Sequence, residues 1–164
     1  MRIVTGLAGF SYSILGSHNL AKMNPDNKRT VTNFIEEIWN QNQLNKIDEY
    51  LHPEFTDHSL PPNLSPDKEG LKKWITATGV SFEHKTIVDE MVCEDEKVII
   101  KIKMRLKHIG LWRNIGPTGK EVYASGYRFY KLADNKILAH WALIDGNAIE
   151  NQLKGVANGC KVEE

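Results

Sequence analysis

The sequence lacks several features that would assign it to a specialised class of protein. It holds only two cysteines, Cys93 and Cys160, without CxxC or metal-ligand spacing, so it predicts neither a disulfide framework nor a metal site. No charge of one sign dominates, because Lys plus Arg total 21 and Asp plus Glu total 21. This balance argues against nucleic acid or a membrane as a partner. We therefore expect a cytoplasmic protein with reduced thiols.

The length of 164 residues suits one domain with a buried core. Residues 1–23 are rich in Gly and Ser, and glycines interrupt their apolar runs. This pattern disfavours a secretory signal and leaves two interpretations, a flexible arm or an extension upstream of a true start at Met23. We expect a single domain over 24–158 and a tail over 159–164.

Three helices are predicted in the first half of the domain. Helical spacing of apolar residues indicates helices over 25–40, 44–51 and 66–78. Ser65-Pro66 has the character of a helix cap followed by proline, and Gly79 is expected to end the third helix. The apolar positions are Val31, Phe34, Ile35, Ile38 and Trp39 in the first helix, Leu44, Ile47 and Leu51 in the second, and Leu71, Trp74 and Ile75 in the third.

From residue 82 onward the apolar period changes to two, which is typical of strands. Strands are predicted over 82–94, 97–109, 120–132 and 136–144, followed by a helix over 147–154. The strand 97–109 alternates strictly, and one of its faces carries Val98, Ile100, Ile102, Met104, Leu106 and His108. Helices followed by a meander of long strands predict an α+β fold, in which a bent antiparallel sheet wraps over three helices. Such a sheet closes into a cone with a ligand-sized mouth.

Five motifs occur along the chain in an order typical of one family. They are Asn27-Lys28 with Phe34, Trp39-Asn40, Leu44 and Ile47-Asp48; Pro53–His58; His108-Ile109-Gly110 with Gly116–Lys120; Lys136-Ile137 with His140-Trp141 and Asp145; and Gln152-Leu153. Together they make residues 27–154 resemble the SnoaL-like polyketide cyclases, also called ester cyclases, of the nuclear-transport-factor-2-like superfamily. The resemblance implies a cone-shaped fold, a deep apolar pocket, a homodimer and no metal or organic cofactor.

The resemblance also implies a chemistry, the intramolecular aldol closure of a ring, which needs a base and an acid. In the family these roles centre on an aspartate in the strand after the PTGK turn. Its nearest counterpart here is Arg128, and Glu121 is the only carboxylate between Glu96 and Asp134. We therefore keep two main functions open: acid–base chemistry on a hydrophobic carbonyl compound, by cyclisation or isomerisation, and non-catalytic binding or carriage of an apolar or aromatic small molecule. An interaction domain that dimerises through its outer sheet face and the Trp112 loop is a third.

Three residues are candidates for catalysis. His108 ends the inward face of its strand and could be the acid–base group, or equally a buried histidine bonded to a carbonyl. Asp145 could orient a histidine or act as a base, but Asp-Gly-Asn also suits a helix cap, and we favour capping. Arg128 would place a cation in the pocket, suited to a carboxylate or enolate, if its face of the strand points inward.

Seven further residues are candidates for ligand binding: His58, Trp39, Trp74, Met104, Trp112, Tyr127 and Trp141. Core packing is the default for Trp39 and Trp74, and a surface position is favoured for His58. Trp112 lies in a loop, where it could be a lid or a dimer contact. Because neighbours alternate along a strand, only one of His140 and Trp141 can face inward, and the parity of Ile137 and Ala139 favours Trp141.

Overall fold

A computed structural model describes residues 25–156, which form an α+β fold around a five-stranded sheet. The predicted extension 1–23 and tail 159–164 lie outside the described residues. The elements are α1 (Pro25–Asn33), a π-helix (Phe34–Asn40), a 3₁₀-helix (Leu44–Lys46), α2 (Ile47–Tyr50), β1 (Leu51–Asp57), α3 (Lys68–Ser81), β2 (Phe82–Glu94), β3 (Lys97–His108), β4 (Glu121–Ala133), β5 (Lys136–Ile144) and α4 (Gly146–Lys154). The α+β prediction is confirmed.

The first helix covers the predicted span but changes its winding halfway. From Phe34 to Asn40 the backbone follows a π-helix, and Phe34, Ile35, Ile38 and Trp39 are buried on it. Asn40 ties this segment to β2, since its side chain donates to Thr86 O at 3.0 Å and accepts from Thr86 N at 2.8 Å. π-Helical turns occur often at functional sites. Here the turn places the Trp39 indole against the sheet.

The limits of the third helix differ from the prediction. Asp67 caps α3 in place of Ser65, and its carboxylate accepts from Gly70 N at 3.0 Å. The helix also continues through Gly79 to Ser81 before β2 begins at Phe82. A glycine inside a helix costs only about 1 kcal/mol, so tertiary contacts can carry the helix across it.

The sheet has the strand order β1-β5-β4-β3-β2. The long hairpins β2–β3, β3–β4 and β4–β5 are antiparallel, as predicted, but β1 lies parallel to β5. The parallel pair brings Asp57, at the end of β1, beside His140 in register. The sheet is therefore mixed. The pairing of its edge strand β1 with β5 brings together two segments that lie far apart in the sequence.

One face of the sheet packs against the helices and forms the core. The even-numbered residues of β3 from Val98 to His108 are buried, which confirms the predicted inward face. The other face carries Lys101, Lys103, Arg105 and Lys107, each within salt-bridge distance of an acidic side chain of β2 or β4. The positive charges of these four side chains are thus balanced by carboxylates on the neighbouring strands.

The predicted orientation of Trp141 is wrong, because β5 contains a bulge. Lys131 pairs with Ala139 and Leu132 pairs with Ile137, so Leu138 is an extra residue between them. The extra residue reverses the parity of the strand beyond it. His140 is consequently buried, at 3% exposed, while Trp141 faces outward at 38%.

Candidate active site

Two adjoining cavities lie between the inner sheet face and the helices. The larger has a volume of about 410 Å³ and the smaller about 260 Å³. They share four lining residues, Trp39, Trp74, Arg128 and Ile144. The larger cavity is mainly apolar and is also lined by Phe82, Met104, Leu106 and Trp112. The smaller one is lined by Asp57 and His140. An apolar hollow with a few convergent polar groups is the usual form of a small-molecule site.

Arg128 stands at the boundary of the two cavities. Its side chain is inward, with the residue only 3% exposed, and its guanidinium carbon lies 4.0 Å from the centre of the Trp39 ring. Nε and Nη1 are buried and have no hydrogen-bond partner. Within residues 25–156 no carboxylate forms a salt bridge with it. The position that the family resemblance gives to an aspartate therefore holds an unpaired cation directed at the cavity.

A buried histidine–aspartate pair forms the other polar part of the site. His140 Nδ1 lies 2.8 Å from Asp57 Oδ2, and the two side chains are 4% and 2% exposed. Asp57 Oδ1 accepts from Ser59 N at 2.9 Å and from Ser59 Oγ at 2.6 Å. A carboxylate accepts hydrogen bonds, so His140 donates through Nδ1–H and Nε2 keeps its lone pair. His140 Nε2 is buried without a partner.

The surroundings set the charge states of this pair. Burial alone would raise the pKa of Asp57, but the hydrogen bonds that it accepts from His140 and Ser59 outweigh burial, and the pKa lies below its ordinary value. Burial lowers the pKa of His140, the hydrogen bond to Asp57 opposes this shift, and the Arg128 charge adds to it, so the net direction is downward. Asp57 is therefore ionised and His140 neutral near pH 7.

More polar atoms along the same inner surface are without partners. They are Trp39 Nε1, His84 Nδ1, Thr86 Oγ1, His108 Nε2 and Tyr130 Oη. The Tyr130 ring stacks on His140 at 4.8 Å, and His84 lies 6.4 Å from Trp39, between ring centres. Buried polar atoms normally have partners in proteins. Of these residues, Trp39 is the one that lines the two cavities, so its Nε1 is the atom of this group that a ligand there would meet.

His108 lies apart from this site. It is fully buried, packs against Phe82 with ring centres 5.2 Å apart, and does not line either cavity. Its Nδ1 accepts from Thr118 N at 3.3 Å and lies 3.1 Å from Thr118 Oγ1. Its backbone also pairs with Lys120 and Gly119 across the PTGK turn. These contacts are typical of a histidine that fixes the β3–β4 loop. The buried histidine that the sequence allowed was expected to bond to a carbonyl, but its partners are the hydroxyl and the amide of Thr118.

The other predicted residues divide between the inner and outer surfaces. Asp145 caps α4, where its carboxylate accepts from Ala148 N at 2.8 Å. Met104 and Trp112 line the larger cavity, and Trp112 packs edge-on against Phe82 at 5.5 Å. Trp74 borders both cavities and is 39% exposed, so it is not plain core.

Three of the predicted ligand-binding residues lie on the outer surface. Tyr127 is 54% exposed there, on the strand face opposite to Arg128. The exposed His58 ring stacks on the Trp141 ring, with centres 4.3 Å apart. The backbone N–H of His58 donates to His140 O at 2.9 Å. Neither His58 nor Trp141 lines the two inner cavities.

Residues 25–156 contain neither a metal-binding cluster nor a membrane-spanning helix. That part of the chain contains no group of three or more His, Cys, Asp or Glu side chains arranged to hold a metal ion. None of its helices has both the length and the apolar character needed to cross a membrane.

Solved structures with the same fold support the architecture. TsrD from Streptomyces laurentii aligns with a TM-score of 0.72 and 18% identity, over 81% of this chain and 98% of its own. A candidate polyketide cyclase from Acidithiobacillus ferrooxidans gives 0.73 and 21%, over 82% and 99%. IdmH from Streptomyces antibioticus gives 0.71 and 21%, over 78% and 98%. At these identities the likeness establishes the fold.

The sequence itself matches a family model. Residues 29–153 match the model described as SnoaL-like polyketide cyclase. The comparison with curated proteins found no match. Because the matched region spans most of the chain, the protein belongs to the SnoaL-like polyketide cyclase family.

Proposed function

We propose that the protein binds a hydrophobic carbonyl compound in the joined cavities and performs acid–base chemistry on it, by cyclisation or isomerisation. One observation carries the proposal: His140 Nε2 and two nitrogens of Arg128, Nε and Nη1, are buried without partners in residues that line the same cavity. The Asp57 bond to Nδ1 leaves the lone pair of His140 on Nε2. The site thus has a base and a cation without the family's aspartate.

The chemistry follows from these two groups. His140 Nε2 takes a proton from the carbon next to the carbonyl, and the electron pair moves onto the carbonyl oxygen to form an enolate. Arg128 stabilises the negative charge on that oxygen, in a setting where water is largely excluded. In an isomerisation the imidazolium returns its proton to another carbon of the enolate. In a cyclisation the enolate carbon bonds to a second carbonyl carbon of the ligand, and the oxygen of that carbonyl takes the proton. Asp57 stabilises the transient positive charge on His140 and holds its ring in place.

The test is the exchange of α-protons for deuterium in 2-tetralone, a flat apolar ketone, followed by proton NMR in D₂O at pH 7. We expect the protein to accelerate the exchange and His140→Gln to remove about 10²- to 10⁴-fold of the acceleration, the usual contribution of a general base. His58→Gln is the matched control, because that exposed histidine adjoins the same strand from outside the cavity. Equal exchange in His140→Gln would contradict the proposal.

The alternative, a binding or carrier module, is supported by the arginine at the position of the family's aspartate. It predicts that 2-tetralone quenches tryptophan fluorescence saturably without any accelerated exchange. Failure of 2-tetralone to bind at all would contradict both functions. The homodimer, the cytoplasmic location and the absence of a cofactor stay predictions. Sedimentation equilibrium tests the first of them, and a monomer at micromolar concentration would contradict it.

A further inference from the structure

We infer that the natural ligand of this site carries a single carboxylate, bound by Arg128, on a flat apolar body. The inference rests on the cavity of the proposed function and deepens it by naming the class of ligand. It begins from the unpaired guanidinium, whose Nε and Nη1 are buried without partners in a residue that is 3% exposed.

Carboxylates on the strand and helices that surround the cavities are already engaged with other groups. Asp57 receives hydrogen bonds from His140 and from both donors of Ser59. Glu150 pairs with Arg113 at 2.9 Å and also with Lys154. Glu36, on the π-helix, accepts from Asn40 and Gln41. Among the described residues, Asp57 is the one carboxylate that lines either cavity, and it is bonded to His140 and Ser59, whereas no carboxylate forms a salt bridge with Arg128.

The contact with Trp39 does not compensate for this burial. A desolvated cation–π contact contributes about 2 kcal/mol. An uncompensated buried ion costs several kcal/mol even after the protein relaxes. The balance is unfavourable in the free protein, and an anion placed against the guanidinium reverses it, because the paired charge gains short charge-assisted hydrogen bonds.

Neighbouring groups also experience an uncompensated positive charge. Burial lowers the pKa of His84, and the Arg128 charge lowers it further. The same two causes act on His140, where the bond to Asp57 opposes them. Both histidines are therefore neutral near pH 7 and add no positive charge beside Arg128.

The rest of the cavity limits the ligand to one negative charge. Arg113, the other arginine at the larger cavity, is neutralised by Glu150. The remaining walls of that cavity are mostly aromatic and aliphatic: Trp39, Trp74, Phe82, Met104, Leu106 and Trp112. Aromatic walls favour a flat apolar body by ring stacking and by burial of its surface. A doubly charged phosphate ester would leave one charge unpaired.

A ligand whose carboxylate lies next to the reacting carbonyl would suit both the binding by Arg128 and the proton removal by His140. In an apolar 2-oxo acid, the carboxylate and the carbonyl oxygen lie side by side and can both accept from the planar guanidinium. His140 lines the same smaller cavity as Arg128, where its Nε2 is the base for the proton on the neighbouring carbon. The simplest ligand class is an aromatic 2-oxo acid or its enol.

The experiment measures the binding of 2-naphthoate and of its neutral isostere 2-naphthamide by isothermal titration calorimetry at pH 7. We expect the acid to bind about 10- to 100-fold more tightly, the range for hydrogen bonds to a charged group. Arg128→Met should abolish the difference while 2-naphthamide still binds. Arg105→Met removes an exposed arginine of the outer face and should preserve it. Circular dichroism confirms that each variant is folded, and Arg128→Lys gives a second, charged replacement with an intermediate preference.

Equal binding of acid and amide by the wild-type protein would overturn the inference, as would a preference that persists in Arg128→Met. Binding of neither compound would overturn it as well. These outcomes are separate from those of the proposed function. Suppose that neither the wild-type protein nor any variant accelerates proton exchange, but the preference for the acid still depends on Arg128. The anion site at Arg128 would then be supported, and the catalytic role of His140 would be excluded.

Discussion

Replacing Arg128 by methionine should stabilise the free protein. Methionine keeps an unbranched, flexible side chain that can still pack on Trp39, but it carries no charge. The substitution loses about 2 kcal/mol of cation–π attraction and removes a burial cost of several kcal/mol. The unpaired Nε and Nη1 disappear with it. We therefore expect the free energy of unfolding to rise by about 1–3 kcal/mol.

Urea denaturation followed by circular dichroism measures this change directly. Arg105→Met, on the exposed outer face, provides the matched control and should stay within about 0.5 kcal/mol of the wild type. A loss of 1 kcal/mol or more in Arg128→Met, with an unchanged denaturant slope, would refute the reasoning. It would mean that the guanidinium is already compensated in the free protein.

Three further predictions concern the scaffold and the pH dependence. His108→Ala should lower the free energy of unfolding by about 2–4 kcal/mol, because it empties a buried position and breaks the contacts with Thr118. The variant should still accelerate 2-tetralone exchange. Lost exchange at unchanged stability would show that His108 is catalytic. Gly110→Ala should cost about 1–3 kcal/mol in urea denaturation, because its Cβ would lie 2.2 Å from Val80 O, and an unchanged midpoint would contradict the observed loop docking. Burial and the Arg128 charge hold the pKa of His140 below its ordinary 6.5, against the hydrogen bond to Asp57. As pH falls, the unfolded chain therefore takes up the proton before the folded protein does. Stability should be full above pH 6.5 and should fall as pH decreases toward the folded-state pKa. His140→Gln should flatten that part of a stability–pH curve, and an equally steep curve in the variant would exclude His140 as its source.

The sequence predicted the elements whose signal is local. Strict alternation in β3 and the turn residues on either side of it were sufficient to place two long strands and their buried face. The end of α3 was not predictable in the same way. Gly79 is a stop signal by propensity, but the helix continues to Ser81, whose carbonyl accepts from Ile109 N and Gly110 N on a segment distant in sequence.

The site depended on two features that have no local pattern. Alternation alone assigns Trp141 to the inside, and only the extra Leu138 in β5 turns His140 inward in its place. Asp57 meets His140 through the parallel pairing of β1 with β5, across 83 positions of sequence. The sequence left the direction of Arg128 open, and the unbroken alternation of β4 around it places its side chain on the inward face.

The protonation state of His140 tests the central claim most directly. Long-range ¹H–¹⁵N correlation spectra of the histidine side chains distinguish the two neutral tautomers and the imidazolium, and His140→Gln assigns the signal. At pH 7 we predict a neutral ring with the proton on Nδ1, bonded to Asp57, and a free lone pair on Nε2. A proton on Nε2, or an imidazolium at that pH, would contradict the assignment of His140 as the base of this site.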